Sequence, residues 1–181
     1  MNKTSRQFNE SADECKQVFI NKMQDYGTAW RVLRPSSITD QIYIKAQRIR
    51  SIEEKGTQKI NEGIKPEFIG IVNYSVMALV QLELGSSGEN SSLNEAEVIQ
   101  FYDKYIAEAH KLMDDKNHDY GEAWRNMRVS SLDDIILMKL LRIKQIEDNM
   151  GITKVSEGLD ANYYDIINYA IFALIKINEE Q

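Results

Sequence analysis

Cysteine is all but missing: the single Cys15 allows no intrachain disulfide, which removes the stapled secreted scaffolds from consideration. Histidine is nearly as scarce. With only His110 and His118 beside that one thiol, no zinc site of the Cys/His kind can be assembled, so any metal has to be a hard cation held by carboxylates. Two prolines and nine glycines in 181 residues exclude collagen-like and Pro/Gly-rich classes and leave room for long uninterrupted helices. No run of 18 apolar residues occurs. The most apolar stretches, 69–84 and 163–177, are broken by Asn73, Gln81, Asp165, Asn168 and Lys176, so no membrane span is expected. Residues 1–14 lack the apolar core of a signal peptide, and the expected location is the cytoplasm. A net charge of −6 argues against a general nucleic-acid binder.

What the chain does have is a copy of itself. Asp25-Tyr26-Gly27-Thr28-Ala29-Trp30-Arg31 returns as Asp119-Tyr120-Gly121-Glu122-Ala123-Trp124-Arg125, and residues 25–54 match 119–148 at 16 of 30 positions without a gap. A later stretch repeats at an offset of 95, with Ile71-Val72-Asn73-Tyr74 answered by Ile166-Ile167-Asn168-Tyr169. The expected organisation is a first unit over residues 1–84, a polar linker over 85–94 rich in Gly and Ser, and a second unit over 95–181.

Both units read as helical. Apolar residues at helical spacing predict helices over 9–24, 38–55 and 66–84, and over 95–116, 132–150 and 160–179; no alternating strand pattern occurs. Gly27 and Gly121 suit a left-handed position at a helix end. Ser37 and Ser131, followed three residues later by Asp40 and Asp134, read as N-caps. Units of this size bury little surface alone, so the expected fold is all-α, a helical bundle in which the two repeats pack as an internal pseudo-dimer. A homodimer of such chains is the other assembly the pattern allows.

The residues kept in both copies are chemically biased. The basic set is Lys22/Lys116, Arg31/Arg125, Arg34/Arg128, Lys45/Lys139 and Arg48/Arg142, with members spaced three apart so that they share helix faces. Tyr26/Tyr120 and Trp30/Trp124 stand beside them, and Asp25/Asp119 open the motif. Guanidinium and ammonium groups suit phosphate oxygens, and an aromatic face suits a base. A nucleotide is therefore the expected small-molecule partner. The competing reading makes the tryptophans core anchors and pairs the arginines with Asp25, Asp40 and Glu53. Asn73 and Asn168 sit within apolar runs, where a side-chain amide must find partners; a polar contact inside the core and a ligand contact are both open. Glu62, Glu157 and Asp165 are the candidate ligands for Mg2+. His118 has no counterpart, since Gln24 occupies its place, and reads as a surface turn residue ahead of a general base.

The tandem Lys-x-x-Asp-Tyr-Gly-x-Ala-Trp-Arg-x-x-Arg, then Lys45-x-x-Arg48 and Lys139-x-x-Arg142, then Asn-Tyr, resembles the nucleotide modification-associated domain 1 family of bacteria and phages. The likeness covers about residues 15–84 and 109–179. That family's helical layout is similar to the all-α nucleoside triphosphate pyrophosphatases, the MazG and dimeric dUTPase relatives. Those enzymes hold magnesium on Glu-x-x-Glu and Glu-x-x-Asp helices, and water attacks the α-phosphorus. The resemblance thus implies nucleotide binding and a Mg2+-dependent pyrophosphohydrolase. Where the acidic pairs belong, this chain has Lys45/Arg48 and Lys139/Arg142, then Glu67/Gly70 and Asn162/Asp165. The alternative is a non-catalytic helical structural or regulatory module that has lost the metal site.

Overall fold

The computed structural model describes residues 2–56, 63–87, 93–154 and 158–180. Among them are six long helices, two 3-10 turns and no strand. The first repeat supplies α1 (Lys3–Tyr26), α2 (Pro35–Lys55) and α3 (Lys65–Leu84); the second supplies α4 (Glu95–Tyr120), α5 (Val129–Asp148) and α6 (Leu159–Glu179). Each Ala-Trp-Arg motif forms the short 3-10 turn between the first and second helix of its unit.

The helices stack in three layers. α3 and α6 lie against each other in the middle, α2 and α5 cover one side of that pair, and α1 and α4 cover the other. This order follows from hydrophobicity. A helix buried on both sides must be apolar all round, whereas an outer helix needs only a stripe. α3 buries Phe68, Ile71, Val72, Val76, Ala78 and Leu79, and α6 buries Tyr163, Ile166, Ile167, Ala170, Ile171 and Leu174. By length and composition α3 is apolar enough to cross a membrane, but 67% of that window is buried between its neighbours. Outer helix α2 shows one stripe, Ile38, Ile42, Ala46 and Ile49, answered on α5 by Leu132, Ile136, Leu140 and Ile143. Burying one such Ile or Leu stabilises the fold by about 1.5–3 kcal/mol. A single apolar cluster runs through both repeats, so the internal pseudo-dimer shares one core.

Helix ends depart from the sequence reading. α2 and α5 begin at Pro35 and Val129, with Arg34 and Arg128 at the N-cap and no capping side chain. Pro35 needs no hydrogen-bond acceptor for its nitrogen, so the helix starts one turn before Ser37. Asp40 and Asp134 then lie too far along to serve the first turn. Asp40 instead accepts an ion pair from Lys144 of α5 at 2.8 Å. α1 begins at Lys3, capped by Asn2, whose side chain accepts from the Ser5 amide at 2.7 Å. Its polar opening turn is buried too, with Thr4 and Ser5 donating to Glu122 and Asp114. Gly27 and Gly121 do end α1 and α4 at positive φ (61° and 55°), but with ψ of −139° and 152°, outside the left-handed helical well. Side-chain-bearing residues rarely occupy that region, which explains glycine at both places.

Candidate functional site

A cleft of about 710 Å³ opens in the first repeat where α1, the 3-10 turn, α2 and α3 meet. Three cations line it. Lys22 comes from α1, and Lys45 and Arg48 come from successive turns of α2. Aromatic side chains line it too: Trp30 and Tyr74 are half-buried, and Tyr26 is 74% exposed. The lining also includes Gly70 and, as its one acid among the described residues, Glu67. Glu67 is 4% exposed and accepts from Arg48 at 2.5 Å and from Lys45 at 3.4 Å. Among the described residues, three cations and one carboxylate line the cleft. Lys45 lies directly over Gly70, since a Cβ added there would meet Lys45 Cε at 2.6 Å.

The same positions in the second repeat are filled from within. Asp165 stands where the first repeat has Gly70, and its carboxylate is 7% exposed. Lys116 donates to Oδ1 at 2.6 Å and Lys139 donates to Oδ2 at 2.7 Å. These lysines are the counterparts of Lys22 and Lys45. Phe172 stands where the first repeat has Met77, and its ring stacks on Trp124 with centroids 4.2 Å apart and planes 4° apart. Tyr169, the counterpart of Tyr74, closes on the edge of Phe172. Trp124 is consequently 5% exposed, a core residue, whereas Trp30 lines a cleft.

The remaining candidates divide plainly. Arg31 and Arg125 turn away from the cleft side. Arg31 is 5% exposed and donates to Gln81 and to the Gly85 carbonyl, and burial draws its pKa below the ordinary value. Arg125 lies over the Trp124 ring and binds Glu122, Thr4 and Gln7. Both backbone carbonyls are held from the last helix of their unit, Arg31 by Gln81 at 2.9 Å and Arg125 by Lys176 at 2.8 Å. The doubled arginine thus pins the 3-10 turn. Asn73 and Asn168 donate to equivalent carbonyls, Cys15 and Ala109, at 3.0 and 3.1 Å. Asn73 Oδ1 also accepts from Tyr102 at 2.8 Å, while buried Asn168 Oδ1 has no partner among the described residues. The counterpart of Tyr102 is Phe8, which lacks the hydroxyl. Arg34, Arg128, Arg142, Asp25, Asp119 and Tyr120 are exposed, and His118, 89% exposed, contacts Asp119 at 3.2 Å. Glu67, Gly70 and Tyr74 complete the cleft and are absent from the candidate set. The signal for them was the Asn-Tyr pair present in both copies and the Gly70/Asp165 mismatch.

The model of one family, described as nucleotide modification associated domain 1, matches residues 22–82 and again 116–177. The chain belongs to that family. The two matches open on Lys22 and Lys116, so the first spans the cleft's lining except Val18 and Phe19, and the second spans the filled counterpart. No curated protein and no solved structure matches the chain. In this member of the nucleotide modification associated domain 1 family, the magnesium implied by the pyrophosphatase likeness does not fit the described residues. Both Asp165 oxygens accept from ammonium groups, Glu67 is neutralised by Lys45 and Arg48, and no three of His, Cys, Asp and Glu gather among the described residues. Glu62 and Glu157 lie outside the described residues.

One further titratable group is buried. Asp133 on α5 is 1% exposed with neither oxygen hydrogen-bonded among the described residues. Burial pushes its pKa up to about 8, helped by Glu53 and Asp134 and opposed by Arg50. Its counterpart Thr39 is satisfied, sharing a 2.5 Å hydrogen bond with the Tyr163 hydroxyl.

Proposed function

We propose that this protein binds a nucleotide, with its phosphates against Lys22, Lys45 and Arg48 and its base against Trp30 and Tyr74. The observation that carries the reading is the cleft itself: a volume of about 710 Å³, within the range of small-molecule sites, lined by both cationic and aromatic side chains. Lysine and arginine suit phosphate oxygens, and an indole face stacks on any base, so the site takes a phosphorylated ligand with a planar ring. The family's description is consistent with a role around modified nucleotides. The basic lining, with Glu67 its one carboxylate among the described residues, supports binding more than hydrolysis; a pyrophosphohydrolase activity is kept as a separate arm of the test. Canonical and modified (deoxy)nucleoside triphosphates, followed by melting temperature and by pyrophosphate release with and without Mg2+, provide that test. A ligand at 100 times its Kd adds about 2.7 kcal/mol of stability. Absence of any shift and any turnover across the panel overturns the proposal.

The second reading, a non-catalytic structural module, has its own supporting observation. Arg125 ties α1, the second 3-10 turn and α6 together through Thr4, Gln7, Glu122 and Glu179. On that reading Lys22→Ala and Lys45→Ala change no ligand response, because none exists.

A further inference from the structure

We infer that the second repeat carries a built-in occupant, and that it shows how the ligand lies in the first. Two side chains make up that occupant. The Asp165 carboxylate sits between Lys116 and Lys139, and the Phe172 ring sits on Trp124 against Tyr169. At the equivalent positions the first repeat has Gly70 and Met77, while keeping both lysines, the tryptophan and the tyrosine. It keeps the receptor and omits the occupant. Lys22 has no ion pair among the described residues, and Lys45 reaches Glu67 only at 3.4 Å, so an incoming anion meets two ammonium groups that are weakly committed.

The anionic group of the ligand therefore binds over Gly70, between Lys22 and Lys45, with Lys45 lifting off the glycine as Lys139 stands off Asp165. The planar ring binds on Trp30, in the place of Phe172. Asp165 and Phe172 are seven residues apart on one helix, so the two sites are separated by about 10 Å along it. That is the reach of a base through its sugar to a chain of phosphates, and it exceeds a nucleoside alone. The chain then has one site, in its first repeat, and the second repeat is self-occupied. Identifying the ring as a base rests on the proposed function; the anion position does not.

The experiment is calorimetric titration of the full chain with inorganic pyrophosphate and with the four deoxynucleoside triphosphates. The proteins compared are the wild type, Gly70→Asp, Lys22→Ala and the double variant Asp165→Gly/Phe172→Met. The expected result is one site per wild-type chain. Gly70→Asp supplies the carboxylate internally and should weaken both ligands at least tenfold while the melting temperature holds or rises. The three atoms nearest the new Cβ all belong to the flexible Lys45 side chain, which can swing aside. Lys22→Ala, at an exposed position, should weaken both ligands without a change in folding. The double variant should gain a second site. Two sites in the wild type, or a folded Gly70→Asp chain that binds as the wild type does, overturns the inference while leaving nucleotide binding intact. Pyrophosphate binding that Gly70→Asp abolishes, with no nucleotide binding more tightly than pyrophosphate, upholds the anion position and overturns the nucleotide reading. No binding of either ligand overturns both.

Discussion

In the first repeat Lys22 and Lys45 line a cleft in which Lys45 lies over a glycine; in the second Lys116 and Lys139 face a carboxylate that bonds to both. In the first, Trp30 lines a cleft; in the second, Trp124 lies flat on Phe172 inside the core. The walls are the same and the contents differ, which separates two roles that repetition alone cannot distinguish. Residues doubled and used alike, such as Asn73/Asn168 bonding to Cys15/Ala109, maintain the architecture. On the reading proposed above, the doubled lysines and tryptophans that are used differently mark where a side chain takes the place of a ligand group.

The comparison breaks most visibly at the tryptophans. Trp124→Ala should cost about 3–5 kcal/mol, because it empties a fully packed position, whereas Trp30→Ala should cost less than half as much and remove the response to ligand. Chemical denaturation with and without nucleotide measures both, and equal costs would contradict the difference in packing. Next in size is Asp165→Asn. It leaves two ammonium groups crowded without a carboxylate and should destabilise by about 2–3 kcal/mol, read as a loss of melting temperature.

Asp133 sharpens the comparison through pH. Its folded-state pKa of about 8 lies above the ordinary value of 3.8, so across that interval the unfolded chain has released a proton that the folded chain retains. Stability therefore falls as pH rises from about 4 to 8 and levels off beyond. Asp133→Asn should remove this slope and stabilise by about 2 kcal/mol at pH 8, while Thr39→Val, at the satisfied counterpart, should destabilise at every pH. Melting curves at pH 5, 6.5 and 8 report it, and an unchanged slope in Asp133→Asn would refute the assignment. The smallest effect belongs to the asparagine pair. Tyr102→Phe should cost about 1 kcal/mol by removing the donor to Asn73, and the resulting chain has Phe at both equivalent positions. A loss under 0.3 kcal/mol would mean that the hydroxyl contributes nothing there.

Much of the architecture was legible because it repeats at helical spacing. The all-α class, the two units and the six helices follow from apolar periodicity, and most ends fall within a few residues. The exceptions have local causes. Pro35 starts α2 a turn ahead of Ser37, and the first turn of α1 is buried with its hydroxyl groups hydrogen-bonded, which hydropathy does not register. The basic set was read in full, but its members could not be sorted. Arg31 and Lys45 look alike in a repeat comparison, yet one closes a backbone turn and the other faces a cleft. That difference depends on which face each helix turns towards α3 and α6. The Gly70/Asp165 mismatch was visible from the start; its meaning required the two lysines to be seen around the carboxylate. Asp165, a candidate metal ligand by sequence, accepts hydrogen bonds from two lysines in the structure.

The central claim is that the first repeat is open and the second is filled, and the two tryptophans report on it separately. Fluorescence of Trp124→Phe, which leaves Trp30 as the sole indole, should be quenched on titration with a deoxynucleoside triphosphate. Fluorescence of Trp30→Phe, which leaves Trp124, should not change. Quenching of Trp124 to the same extent, with the same midpoint as Trp30, would contradict the account.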